Sequence, residues 1–185
     1  MKKQINAKNA LYPMPVTLVG ANVEGRANFI TIAHVGICTL DVISLGIHKS
    51  HYTNKGIIEN KTFSVNIPTE EMVVETDYAG IASGKNTDKS GIFEVVYGAL
   101  KTAPMIAAAP VSMECELLDV LDYKTHDIFI GKIAAVYAED GVLTNGTIDL
   151  QKVRPMLFDM HFRKYWKLGE PFADCWSIGR QYKKQ

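Results

Sequence analysis

The chain has 185 residues, 20 basic and 20 acidic side chains, no net formal charge, and 47% apolar residues. That is ordinary globular composition at a length that fits one domain, and it excludes collagen-like, disordered and coiled-coil chains. The balanced charge also argues against a dedicated nucleic-acid binder, which carries a basic face.

No run of about 18 apolar residues occurs, so no membrane-spanning helix is expected. The opening MKKQINAKNALYP is basic but has no apolar core, unlike a secretory signal. Cys38, Cys115 and Cys175 stand far apart, without CxxC or metal-ligand spacing. They point to free thiols, a cytoplasmic protein and no metal. The last five residues form a mildly basic tail. No repeat or linker interrupts the chain, so residues 1–185 are expected to form a single domain.

Residues 16–21 are short and apolar and end in a turn-rich stretch at 22–26. Residues 27–35 follow, with β-branched Ile30, Thr31 and Ile32, and the two segments read as an antiparallel hairpin. Residues 42–48 make a third strand. Ser50 or Thr53 is placed to cap a short helix after it. Residues 62–67 alternate and stop at Pro68. Thr69, Glu70 and Glu71 place a hydroxyl and two acids where a helix over 69–82 would begin. The polar loop 83–89 ends that helix. Residues 111–120 alternate as a half-buried strand, 122–127 form a polar corner, and 128–137 return as a long strand. Glu139-Asp140-Gly141 then turns into Val142-Leu143. Strands, helix, strands in that order fit an antiparallel barrel with appended helices better than a doubly wound sheet. Gly84-Lys85 and Gly131-Lys132 lack phosphate-loop spacing, and there is no GxGxxG.

Dispersed segments carry a more specific signal. They are the proline-led Tyr12-Pro13-Met14-Pro15-Val16-Thr17-Leu18-Val19, the N-x-x-T strand Gly25-Arg26-Ala27-Asn28-Phe29-Ile30-Thr31-Ile32-Ala33, and Ile47-His48-Lys49-Ser50-His51-Tyr52-Thr53 followed by Ile57-Ile58. Phe63-Ser64-Val65-Asn66-Ile67-Pro68 comes next, then Gly80 with Ser83-Gly84 and Asp88-Lys89. His126-Asp127-Ile128-Phe129-Ile130-Gly131 and Tyr165-Trp166-Lys167-Leu168-Gly169 complete the set. In this order, over residues 12–179, they resemble the flavin reductase-like family, the FMN-binding split barrels that include flavoredoxins. The resemblance implies a mainly β, antiparallel Greek-key split barrel of the FMN-binding type with appended helices. It implies FMN at a homodimer interface and an oxidoreductase that passes electrons from NAD(P)H through FMN to an acceptor. The alternative within the family is an electron carrier reduced by a redox-protein partner. Neither nucleic acid nor membrane is an implied partner. A barrel that binds some other anionic ligand is the reading outside the family.

The resemblance also implies roles for single residues. Ser50 and Thr53 at a helix N-terminus, with Lys49 and Lys89 as charges and Ser83 in the nearby loop, would receive the FMN phosphate. On their own, the same residues read as a helix cap and solvated lysines. Asn28 and Thr31, with strand backbone at Ile30, Ile32 and Ala33, would meet the polar edge of the ring, where an amide offers donor and acceptor together. His34 departs from the family, which often places an aromatic there. His48 stands where arginine is common. His126 holds the position of a flavin-proximal histidine and is the candidate catalytic residue. Phe158 belongs to a segment lying over the flavin. His51 and His161 read as solvent-facing, and Cys115 as a small buried hydrophobe.

Overall fold

In the computed structural model, which describes residues 1–6 and 9–183, the first two strands pair as expected. Two positions of the opening stretch and the last two of the basic tail lie outside the described residues. Strands β1 (Thr17–Val23) and β2 (Arg26–Ile32) run antiparallel and are joined by Glu24 and Gly25, with φ of 52° and 79°. A two-residue turn with left-handed backbone at both positions matches the twist of the flanking strands, and glycine adopts it without steric cost.

The expected strand 27–35 breaks after Ile32. Ala33 and His34 leave the ladder, and β3 (Val35–Ile37) pairs with β4 (Val42–His48) instead. With β5 (Thr62–Ile67), β6 (Val111–Asp122) and β7 (His126–Ala138), these strands form a seven-stranded antiparallel sheet in the order β2-β1-β5-β6-β7-β4-β3. The sheet curls until β2, one edge, approaches β4 beside the other edge. Ala33 and His34 carry the chain across that split. The fold is the expected mainly β split barrel with appended helices.

The barrel interior is filled by Ile30, Leu45, Ile47, Phe63, Cys115, Phe129 and their neighbours. Burial pushes the Cys115 thiol up to about 12, so this cysteine packs as an inert apolar side chain. A second cluster, including Leu18, Phe29, Met72, Ala79 and Ile106, lies between β1–β2 and helix packing outside them. Two buried polar groups organise the far wall. Glu114, fully buried, accepts hydrogen bonds from the backbone N–H groups of Gly98, Ala99 and Leu100 and from the Tyr137 hydroxyl. Asn66 donates to the Leu18 carbonyl and the Ser64 hydroxyl, and accepts from the Ile106 N–H and the Ser112 hydroxyl.

Helix α1 (Thr53–Asn60) begins at Tyr52 with no side-chain cap, so neither Ser50 nor Thr53 caps it. Thr53 is turned toward Asn28 instead. The expected helix 69–82 is a 3-10 turn, Glu70–Met72, continuing into α2 (Val73–Ile81). A hairpin of β8 (Met156–Asp159) and β9 (Lys164–Lys167), unread in the sequence, pairs with Met14–Pro15 and stands over the split. Among the described residues no helix is long and apolar enough to cross a membrane.

Candidate functional site

An edge strand leaves one side of its backbone outside the sheet ladder. Here that strand is β2, and it runs between two cavities. One, of about 410 Å³, lies at its start and is lined by Arg26, Asn28, Tyr52, Gly84, Lys85 and Lys89 among others. The other, of about 450 Å³, lies at its end in the split. Thr31, Ile32, Ala33 and His34 line it, with Gly46 and His48 from β4 and His126 from β7. From Asn28 to Ile32 the strand covers roughly 13 Å. A further cavity of about 490 Å³, around Glu71, Phe93, Glu139 and Arg154, contains none of the candidate residues.

At the polar end Asn28, Thr53 and Lys89 stand together, each at most 5% exposed. The Asn28 Nδ2 donates to Thr53 Oγ1 at 2.6 Å. Lys89 Nζ donates to the Phe29 carbonyl at 2.6 Å and the Ala79 carbonyl at 2.9 Å, tying the free edge of β2 to α2. Burial pulls the Lys89 ammonium down to about 8. An ammonium has three donors, and these two bonds use two of them. Arg26 pairs loosely with Asp88 at 3.3 Å, with both side chains largely in solvent. Gly84 keeps this end open: a Cβ there would stand 2.4 Å from Asn28 Oδ1 and 2.8 Å from the Tyr52 ring.

At the split, four of the chain's five histidines line one cavity: His34, His48, His51 and His126. The His48 and His126 ring centres are 5.0 Å apart, and those of His34 and His126 6.1 Å. The Ser50 backbone N–H reaches His48 Nδ1 at 3.1 Å, and the Ser50 hydroxyl lies 2.8 Å from the same nitrogen. A backbone N–H only donates, so Nδ1 is the acceptor and the ring proton sits on Nε2. Burial, then the neighbouring His48 and His34, hold His126 below the usual histidine range, while Asp127 opposes them. Burial, then His48, Lys89 and His126, lower His51. These two rings are therefore neutral at pH 7. Among the described residues no group of three His, Cys, Asp or Glu side chains is arranged to hold a metal ion. Phe158 and Tyr165 close the cavity from the β8–β9 hairpin, and the Tyr165 hydroxyl donates to Asp77 Oδ1 at 2.8 Å. Burial and that bond push the Tyr165 phenol up.

Of the residues singled out in the sequence, Asn28 and Lys89 line the polar cavity, with Thr53 bonded to Asn28. Thr31, Ile32, Ala33, His34, His48, His126 and Phe158 line the split. The others stand back from both cavities. Ile30 is a core residue. Lys49 is paired with Asp122 and, at 3.5 Å, with Asp127. Ser50 is engaged with His48, and exposed Ser83 accepts from the Lys85 N–H. His51, expected in solvent, is half-buried in the split because its N–H folds back onto the His48 carbonyl. His161 is exposed, as expected. Sequence reasoning assigned no role to Arg26, Tyr52, Lys85, Asp77, Gly80, Ile81 or Tyr165. Arg26, Tyr52, Gly80 and Tyr165 lie inside the segments that carried the resemblance, which was the available signal.

The two cavities together suit an elongated ligand with an anion at one end and a flat ring at the other. Buried donors and two cationic side chains, Arg26 and Lys85, surround the first end, and imidazoles with apolar side chains surround the second. The Gly84 cradle, which a Cβ would fill, fits such a ligand.

Comparison with known proteins agrees with this geometry. The model of the flavin reductase like domain matches residues 9–165. A flavoredoxin from Methanosarcina acetivorans is 43% identical and superposes with a TM-score of 0.94, over 97% of this chain and 98% of that one. The flavoredoxin of Desulfovibrio vulgaris (Miyazaki F) is 34% identical, with a TM-score of 0.90 over 97% and 100% of the two chains. An FMN-binding protein from Thermus thermophilus, in a structure with bound 1-cyclohex-2-enone, is 25% identical, with a TM-score of 0.78 over 94% and 97%. An uncharacterized Aeropyrum pernix protein is 28% identical over 157 residues, a match spanning 82% of this chain and 59% of that protein's length.

Proposed function

We propose, from the premise that this chain belongs to the flavin reductase-like family, that it is an FMN-binding oxidoreductase passing electrons from NAD(P)H through bound FMN to an acceptor. One observation carries the reading: a single edge strand joins a cation-lined polar cavity to an imidazole-lined cavity in the split. FMN has the matching asymmetry, with a dianionic phosphate, a flexible polyol and a planar ring. The FMN-binding Thermus protein supports the choice of ligand.

In this reading Arg26, Lys85 and the remaining donor of Lys89 neutralise the phosphate. The Asn28–Thr53 pair fixes the polar end, and Thr31 with its strand meets the ring edge. Bound FMN supplies hydride acceptance and onward electron transfer, so the protein needs no strong acid–base pair of its own. Neutral His126 and the Nε2–H of His48 face the split, and His126 is the catalytic candidate. Phe158 and Tyr165 shield that end from water. A homodimer completes the open cleft, since symmetric dimers are the commonest closed assemblies. The family match over residues 9–165 supports residues 1–185 working as one flavin reductase-like domain. Free Cys38 and Cys175, both exposed, suit a reducing cytoplasm.

The test is anaerobic mixing of the FMN-loaded protein with NADH and with NADPH, followed by flavin absorption. Bleaching by one of them within the mixing experiment is the expected result. No bleaching by either, with FMN bound, refutes the nicotinamide route. The second reading, an FMN electron carrier reduced by a redox protein, then stands, and similarity to two flavoredoxins favours it.

A further inference from the structure

Two of the exposed apolar surfaces among the described residues belong together. The first is the C-terminal arm that leaves β9. Every residue from 169 to 183 is exposed. The arm nevertheless carries Phe172, Trp176 and Tyr182, exposed by 100%, 92% and 80%, and is shaped by a 3-10 turn at Ile178–Gln181. Its side-chain tie to the body is at its root, where Gln151 Nε2 donates to the Gly169 carbonyl. The second surface is the outward face of α2. Val74, Tyr78 and Ile81 recur at i, i+4 and i+7, a single stripe along a helix, and are exposed by 73%, 43% and 76%. The buried side of the same helix holds the small residues Thr76 and Ala79. The helix thus presents its larger apolar side chains to solvent.

We infer that the C-terminal arm of one copy of this chain docks on the Val74–Tyr78–Ile81 stripe of a second copy and walls off the split cavity there. Three observations choose this occupant. Area is the first: an aromatic side chain offers roughly 150–250 Å². Two exchanged arms with three aromatics each approach the roughly 1,600 Å² of a standard interface before the aliphatic contacts are added. Charge is the second. The stripe is flanked by Glu75 and Asp77, and the far end of the arm carries Arg180 and Lys183. Arg180 makes no ion pair among the described residues, and it would face the acidic flanks. Continuity is the third: Asp77, Gly80 and Ile81 line the split cavity, so whatever covers the stripe also closes that side of the cavity.

The inference rests on the homodimer proposed above, and the two can fail separately. The chain has two tryptophans, Trp166 and Trp176, so Trp166→Phe leaves the arm as the sole indole reporter. The difference between wild-type and Trp176→Phe spectra gives the same signal should Trp166→Phe fold poorly. The expected result is blue-shifted Trp176 emission, shielded from a soluble quencher, that turns red on dilution as the dimer dissociates. Ile81→Glu should turn it red at a concentration where the parent is dimeric, and weaken self-association about tenfold or more. Solvent-like emission from a protein that is dimeric by light scattering overturns the arm and leaves the dimer. Blue emission independent of concentration overturns exchange between copies, because the arm then covers its own subunit. Concentration-dependent emission insensitive to Ile81→Glu overturns the docking surface. A monomer at all concentrations overturns both the arm and the proposed dimer, while FMN binding by that monomer would leave the flavin reading in place.

Discussion

The far wall of the barrel and the split treat polar groups in opposite ways. On the far wall Glu114 and Asn66 are buried, and each is met by four hydrogen bonds. Nothing there is left over for a ligand. Along β2 the polar groups are also drawn together, but they converge on open space: a free strand edge, a glycine where a side chain would clash, and four imidazoles around one cavity. The contrast separates a network closed on itself from one that faces open space. Both motifs, the FSVNIP strand and the N-x-x-T strand, belong to the same resemblance, yet their structural roles differ.

Substitutions should separate the two regions. Glu114→Ala strands several loop N–H groups that the carboxylate now receives. Each such loss costs about 1–3 kcal/mol, so urea melts should show stability lower by about 3–5 kcal/mol, with FMN affinity of the folded fraction unchanged. Asn28→Ala should do the reverse. FMN affinity should fall about 30-fold, or about 2 kcal/mol by titration, while stability falls by about 1 kcal/mol. An Asn28→Ala variant that binds FMN normally would break the comparison. Gly84→Ala drives a Cβ to 2.4 Å from Asn28 Oδ1 and should cost about tenfold in FMN affinity through displacement of that amide. The smallest effect is in acid. His126 and His51 sit below their ordinary value of 6.5 in the fold, so below that pH the folded protein holds fewer protons than the unfolded chain. Their contribution is complete above pH 6.5 and is lost as the pH falls through the folded values. Replacing His126 with Asn should flatten the fall in thermal midpoint between pH 6.5 and 5, measured against wild type.

The strands were legible wherever alternation and β-branching coincide, as in β4 to β7. The break after Ile32 was not. Ile30-Thr31-Ile32 runs on into Ala33-His34-Val35 without a turn residue, and the interruption comes from a distant partner, the Gly46 N–H bonded to the His34 carbonyl at 2.7 Å. The β8–β9 hairpin was hidden for another reason. Its strands have four residues each, and their reversal includes Arg163 with φ of 53°, a conformation that its sequence does not announce. At the site, the buried trio Asn28, Thr53 and Lys89 was reached through the resemblance. The places of Tyr52 and Lys85 in the polar cavity were not, because an aromatic and a surface lysine come together there only when loop 83–89 is folded over β2. Thr53 shows the limit of local rules: a helix-start threonine was expected to cap, and tertiary contact with Asn28 took its hydroxyl instead.

The central claim is that the polar end of β2 takes a phosphate while the split takes a ring. Titrating ligand-free protein with FMN and with riboflavin, which shares the ring and polyol but lacks the phosphate, tests it directly. Charge-assisted bonds to the phosphate predict FMN binding about 100-fold tighter than riboflavin, with the gap narrowed by an Arg26→Ala, Lys85→Ala double variant. Equal affinity for the two, or no binding of either, would contradict it.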